Sequence, residues 1–419
     1  MGGGLRPVVI ALVIVAIAVL VLGRNALDFV HLLLTQHDPG HIKSSDFDLI
    51  LCGGRHLEAP YSACLGRDSV SGFIYPPPAA LYAHVINLGG QAMAFGVQTV
   101  ISLVVLVAIL IALLRMAPSD MTTVQRFALM LGCAALGPVD MTLVSGHLNI
   151  LVLAGFVGPL WLLRRSRPGF AGLILGLGFW LKIYPIIQFP LLVLRRRDLR
   201  SVALLLAPLV VLPVLLLPWL SPQTYAQFFF ERLPPLQART VPGFAQSIAP
   251  MVLALRAGSV QVHPVFLGVL IPAWLQVLIR GVLVVGVALA ALHQRALKGG
   301  APLEPLALLL GAVLLYAPIA WGHHFVLALP LVWVGLARLF SRDCGWFGTV
   351  MIVVAWMALL LPSWMDPPTV LLKFPGATTL FLTRYPLAVL ALMGATLEQR
   401  RANWRVLVSD LRKNGIKAL

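Results

Sequence analysis

The chain has 419 residues, 59% of them hydrophobic and only 11% charged, with a mean hydropathy of +0.93. Such a composition excludes an ordinary soluble domain; repeated apolar runs of about 17–25 residues mean membrane-spanning helices with their backbone groups satisfied internally. A formal charge of +16 would suggest nucleic acid in a soluble chain, but here it follows the excess of Lys and Arg on the cytoplasmic side of membrane proteins, so no nucleic-acid partner is expected.

The first apolar run begins at Pro7 and has no A-x-A-like site after it, so it reads as an uncleaved anchor. Basic clusters then punctuate the chain: Arg115 and Arg126, RRSR at 164–167, RRRDLR at 195–200, HQRALK at 293–298, ARLFSR at 337–342, and a tail from EQRR at 398–401 to Lys417. If all are cytoplasmic, the number of crossings between neighbouring clusters must be even. Residues 7–31 run outward, and 36–92 form a first outer loop with a short interfacial helix after YPPP. Residues 93–114 return, 127–145 go out and 148–163 come back. Too few residues separate RRSR from RRRDLR for two full spans, so two short half-depth helices turning at LKIYP, or one irregular re-entrant hairpin, are expected. Residues 201–220 go out, 221–265 form a second large outer loop, and 268–292 return. Spans at 304–321, 324–340, 346–362 and 375–395 follow, leaving a cytoplasmic tail from 396 to 419. The expected fold is an all-α polytopic membrane protein, one domain over residues 1–419 with about twelve membrane segments. All histidines except His293 fall on the outer half of this map.

The outer half also carries the candidate chemistry. In the first loop, "KSSDFDLI" holds Asp46 and Asp48. Carboxylates at i and i+2 do not face each other on a helix. DxD spacing can bind a divalent cation, and "SSDF" equally resembles a helix N-cap segment; no metal is favoured. Cys52 and Cys64 lie in the same loop, where an oxidising compartment permits a disulfide that restrains the segment carrying Asp46. The YPPP stretch suits a helix start, with Tyr75 placed to wall a site. Gly146-His147-Leu148-Asn149 joins two spans. Asp140 and Arg280 both lie at membrane depth, and mutual pairing is the simplest reading. Lys182, within FWLKIYP, coincides with the expected helix break, and irregular backbone at membrane depth is tolerated where it lines a cavity. Such a lysine holds a phosphate as a point charge or snorkels to headgroups. In the second loop Arg232, Arg239, Gln246 and Ser247 fit a cover over an anionic ligand and equally an interfacial loop binding headgroups, and WGHHF puts His323 and His324 at the outer end of a span.

Taken in order, SDF after the first span, YPP, GHLN, LKIYP, QS in the large outer loop and WGHH resemble glycosyltransferase family 87 of the GT-C superfamily. These are polyprenyl-phosphate-sugar-dependent membrane transferases of the phosphatidylinositol-mannoside mannosyltransferase type. The resemblance implies the GT-C fold, with Asp46 as the catalytic base and Lys182 and Pro185 at the family's Lys-x-x-Pro. The family's Gly-Gln-x-Asn turn falls on residues 146–149 with His147 in place of Gln, and its Asn-Gln-Ser falls on Ala245, Gln246 and Ser247, losing the Asn. The histidine pair falls on His323 and His324. The implied reaction moves a hexose, mannose in the family's best-known type, from a polyprenyl-phosphate donor to a glycolipid or glycan acceptor with inversion, at a site on the outer face of the cell membrane. A base is required for the attacking hydroxyl, and fixed charge and donors for the leaving phosphate, drawn from Lys182, His323 or His324, and Arg239; His147, Asn149, Gln246 and Tyr75 join them as contacts to the donor phosphate or sugar. The two departures leave the sugar open. No cofactor is implied. A transporter or flippase of a lipid-linked or anionic substrate is the alternative, since it too uses a broken helix and intramembrane charge, although no internal repeat is evident. A lipid A or oligosaccharide transferase of another GT-C family is a further enzyme alternative.

Overall fold

The computed structural model describes residues 5–35, 45–65, 72–195, 199–240, 246–256, 269–296, 303–340, 344–361, 381 and 383–398, with only the backbone of residues 5, 28–35, 45, 46, 194, 195, 254, 255, 295 and 296. The tail beyond 398 and much of the expected last outward turn, 362–380, lie outside the described residues.

The chain opens with α1 (Leu5–Thr35). Two small helices of the first loop follow, α2 (Ser45–Arg55) and α3 (Pro60–Ala63), and a Cys52–Cys64 disulfide joins them with Cα atoms 5.8 Å apart. The expected pairing is thus formed. α4 (Pro77–Ile86) starts on the prolines of YPPP and is too short to cross a bilayer. It is fastened to α2 by the His84 Nδ1 contact with the Gly54 carbonyl, 2.9 Å.

α5 (Gln91–Met116) is a full-length apolar helix. α6 (Thr123–Ala134) and α7 (Gly137–Val144) form the span expected at 127–145, but bent by 50°. The break has a local cause: Leu136 is extended and Pro138 sits in the first turn of α7, where it cannot continue the preceding helix's hydrogen bonds. α8 (Asn149–Arg164) and α9 (Pro168–Leu181) make a tight hairpin. A Cβ on Gly155 would meet the Gly178 Cα at 2.9 Å, so only glycine permits this crossing. After α9 the helix breaks at Lys182, continues as a 3₁₀ turn over Tyr184–Gln188, and resumes as α10 (Phe189–Arg195), as the short-helix reading expects.

α11 (Leu199–Leu215) leads to a second loop containing α12 (Pro222–Ala226), a π-helix over Gln227–Arg232, α13 (Leu233–Ala238) and α14 (Ile248–Arg256). Two residues, β1 (Arg239–Thr240), pair antiparallel with β2 (Val269–Leu270). α15 (Ala273–Ala296) carries an exposed apolar face, with Val277 70% and Val284 67% exposed, as a lipid-facing helix does. α16 (Leu303–Tyr316), a 3₁₀ segment over Gly322–Ala328, and α17 (Leu329–Leu339) lie at the centre of the core, 94% of the Gly322–Leu339 stretch being buried. α18 (Trp346–Leu360) and α19 (Arg384–Glu398) complete the described helices.

Among the described residues, four helices can cross a membrane by length and composition, or five with the bent pair; six more apolar helices have 10–17 residues. The chain is therefore an all-α, multi-pass membrane protein. Arg280 does not pair with Asp140. It is exposed on α15 and donates to Gln276 Oε1 at 3.4 Å, while Asp140 lies in the first turn of α7 within electrostatic reach of Tyr385. The reason is that α15 turns this face toward lipid, where a long side chain reaches along its own helix.

His293, which the arginine map sets apart from the other histidines, is also set apart in space. Its Nε2 lies 2.8 Å from Glu304 Oε2, and Arg338 reaches Glu304 Oε1 at 3.6 Å and donates to the Ala395 carbonyl at 2.6 Å. This buried group ties α15, α16, α17 and α19 together.

Candidate active site

α8 begins at Asn149 and runs sixteen residues to Arg164, so the two ends of that helix are separated by about 24 Å at 1.5 Å per residue. The candidate residues gather at the Asn149 end and the arginines at the other.

Lys182 is the centre. It caps α9 in extended conformation, and its Nζ donates to Asn149 Oδ1 at 3.1 Å and meets His324 Nε2 at 2.5 Å. The rings of Tyr75 and Tyr184 lie 5.8 and 5.6 Å from the same nitrogen, within cation–π reach. The close Gly155–Gly178 crossing sets the distance between Lys182 and Asn149, since Gly178 is one turn before the lysine. Gln188, buried at the 3₁₀ turn, donates to the Gly155 carbonyl at 2.5 Å and locks the break in place.

The two histidines of WGHHF have different surroundings. The Trp321 N–H donates to His324 Nδ1 at 2.8 Å. A ring nitrogen that accepts a backbone N–H has no proton, so the neutral His324 ring carries its proton on Nε2. At 2.5 Å only one proton lies between Lys182 Nζ and His324 Nε2, so the two nitrogens form one hydrogen-bonded pair. His323 instead stacks on His147, ring centroids 3.5 Å apart and 21° from parallel.

The turn bearing His147 and Asn149 depends on Gly146, whose φ is +65°. A Cβ there would also lie 2.8 Å from the Phe47 ring. Phe47 is fully buried and follows Asp46 in α2, so the Gly146 turn anchors the first turn of that helix. Asp46 thus sits at a helix start and not on an open loop; its side chain lies outside the described residues. Asp48 Oδ1 accepts from Gln91 Nε2 at 2.6 Å, at the start of α5. Gly146→Ala should lower the melting temperature and the activity together, because the residue would need both a left-handed backbone and the space of an aromatic ring. Thermal unfolding of the purified variant checks this, with an unchanged transition counting against the turn's role.

Gln246 and Ser247 reach the same region through the backbone: Gln246 N–H donates to the Ala320 carbonyl at 2.5 Å, next to Trp321. Asn149 Nδ2, Gln246 Oε1 and Ser247 Oγ are buried with no hydrogen-bond partner among the described residues. Buried polar atoms normally find partners, so these are available to a hydroxylated ligand. Arg239 lies in the short β1 pairing. Its backbone pairs with Leu270 while Thr240 bonds the Pro318 carbonyl.

Sequence reasoning missed Gln98. Fully buried in α5, it donates to the His147 carbonyl at 3.2 Å and to Ser102 Oγ at 3.1 Å, and accepts from the Tyr82 hydroxyl. Burial pushes the Tyr82 phenol up to about 12, which keeps it a donor. The signal was present: Gln98, Thr99 and Ser102 interrupt an otherwise apolar span, and polar residues at membrane depth are by default functional or partnered.

Two comparisons bear on this arrangement. Over 279 residues the chain is 26% identical to a Mycobacterium tuberculosis protein named polyprenol-phosphate-mannose-dependent alpha-(1-2)-phosphatidylinositol mannoside mannosyltransferase; the match covers 62% of this chain and 61% of that protein. The model of glycosyltransferase family 87 matches residues 73–319. That interval takes in Tyr75, the Gly146 turn, Lys182, Gln246 and Ser247, lies after Asp46 and ends before His323. Because the match spans more than half of the chain and includes both the turn and the helix break that build the site, this protein belongs to glycosyltransferase family 87.

Proposed function

We propose that the protein transfers a hexose, mannose in the first instance, from a polyprenyl-phosphate donor to a glycolipid or glycan acceptor. The observation that carries this reading is the convergence of Lys182, His324 and Asn149 beside the helix start bearing Asp46. An acceptor hydroxyl attacks the anomeric carbon and its proton passes to the Asp46 carboxylate. The bond from that carbon to the phosphate oxygen breaks, and the lipid phosphate leaves with the electron pair. The hydrogen-bonded Lys182–His324 pair stabilises the charge that develops there, as preorganised donors in a site of low polarity do. Attack opposite the leaving group inverts the configuration. Asn149 Nδ2, Gln246 Oε1 and Ser247 Oγ supply partners for sugar hydroxyls, with Tyr75 as a wall. His147 and His323 form a stacked floor, and Arg239 belongs to the loop above. The reaction requires no metal, and EDTA should leave it intact.

In this reading His324 binds as a neutral donor and carries no proton between reactants. His324→Gln, whose amide can present an N–H at a similar place, should keep activity within about tenfold, while His324→Ala should lose more. Equal losses in both would return a proton-transfer role to the ring.

The site faces the periplasm or cell exterior, with the C-terminus in the cytoplasm. The Cys52–Cys64 disulfide supports this side, because such bonds persist in oxidising compartments. Cysteines introduced near Asp68 and Pro235 should be labelled from outside, and those near Arg165 and Arg197 should not. Labelling at 165 or 197 would overturn the orientation and the proposed outer site. The decisive assay incubates purified protein with radiolabelled polyprenyl-phosphate sugars and membrane lipid extract. Transfer from one of them is expected; passage of label across a vesicle membrane without transfer would favour a transporter.

A further inference from the structure

We propose that Arg232 is a positioning residue for Lys182, acting from the second loop through Tyr61 and Tyr75. Its kinetic consequence rests on the transferase reading; the geometry does not.

The argument begins with the π-helix at Gln227–Arg232. A π turn carries more residues per turn than an α turn and recurs at functional sites. Here it directs neighbouring side chains to different partners. Phe228, 1% exposed, stacks on Tyr61 with centroids 6.1 Å apart. Phe229 goes to Trp180 at 6.2 Å, two residues before Lys182. Arg232, about one turn after Phe228, comes back to Tyr61. Its Nη2 donates to the Tyr61 carbonyl at 2.5 Å, and its guanidinium carbon lies 6.0 Å from the ring.

Tyr61 passes the constraint inward. Its hydroxyl donates to the Tyr75 carbonyl at 2.7 Å. Burial raises this phenol well above its ordinary range, with Arg232 opposing, so it remains a donor. Tyr61 is also held from behind by Phe73, centroids 5.5 Å apart, whose N–H donates to the Cys64 carbonyl at 2.9 Å. The Tyr75 ring that results from this placement is one of the two aromatic walls of Lys182. The charge on Arg232 is committed to Tyr61. It serves the site by fixing a ring, although its sequence context suggests direct contact with an anion.

The test uses the full chain in lipid nanodiscs and compares Arg232→Ala, Arg232→Lys, Tyr61→Phe and the Arg232→Ala/Tyr61→Phe double variant, with Arg256→Ala as control. Arg256 makes a similar arginine–aromatic contact, 5.9 Å from the Trp274 ring, away from Lys182. Donor KM should rise about tenfold in Arg232→Ala, the lower end for a hydrogen bond from a charged group, with kcat within about threefold. Arg232→Lys should restore most of the loss. The double variant should be no worse than the poorer single, because both cut one chain of contacts. Independently of any donor, acylation of Lys182 read by mass spectrometry should rise about threefold in Arg232→Ala and Tyr61→Phe as its wall loosens, unchanged at the other lysines and in the control. Unaltered Lys182 labelling, additive kinetic losses or a fall confined to kcat would overturn the proposal. Wild-type protein inactive with every polyprenyl donor would instead remove the transferase reading, and labelling alone would decide the role of Arg232.

Discussion

Asp46→Asn should lower transfer by about 10²–10⁴, the range for loss of a general base. That is about 3–5 kcal/mol of transition-state free energy. Lost stability does not account for it: the acid lies in the first turn of α2, where the helix dipole favours a negative charge by only about 0.3–1 kcal/mol. The segment is otherwise held by the Cys52–Cys64 disulfide and by Phe47 against the Gly146 turn, neither of which the substitution touches. Asp48→Asn keeps an oxygen for Gln91 and should cost far less. The check is kcat/KM for both variants with the melting temperature measured alongside. A dead Asp48→Asn enzyme, or one stopped by EDTA and restored by a divalent ion, would replace the base with a metal site. An active Asp46→Asn enzyme would send the search for the base to Asp48, Glu58 or Glu231.

Lys182→Ala should cost about 10²–10³ in transfer, the effect of removing one preorganised group from a developing negative charge. The loss includes more than one charge, because Asn149 Oδ1 and the His324 ring both take their place from Nζ. Lys182→Arg should restore little. The position lies between two tyrosine rings, an amide and an imidazole, a space for a compact ammonium and not for a planar fork. Steady-state kinetics against donor concentration check this. Wild-type donor kinetics in Lys182→Ala would remove the lysine from the site and with it the basis for His324 as its partner.

Much of this was legible in the chain itself. Local patterns carry local information: apolar runs specify helices, Pro76–Pro78 start α4, and Lys182 marks a break that irregular backbone then fills. Two cysteines in one short loop allowed a disulfide, and the order of short motifs pointed to family 87. What the sequence could not determine is which of these pieces touch. Lys182 meets residues 33 and 142 positions away, and no periodicity encodes a contact of that range. Only the tertiary structure separated His324, whose Nδ1 is taken by Trp321, from its neighbour His323, which lies on His147. Only it turned Arg232 toward Tyr61 and set Asp140 and Arg280 apart. The physical reason is the same in each case. In a bundle, the helix crossings decide where a side chain's polar end meets a partner, and those crossings rest on close backbone approaches, as at Gly155 and Gly178, that depend on both helices at once.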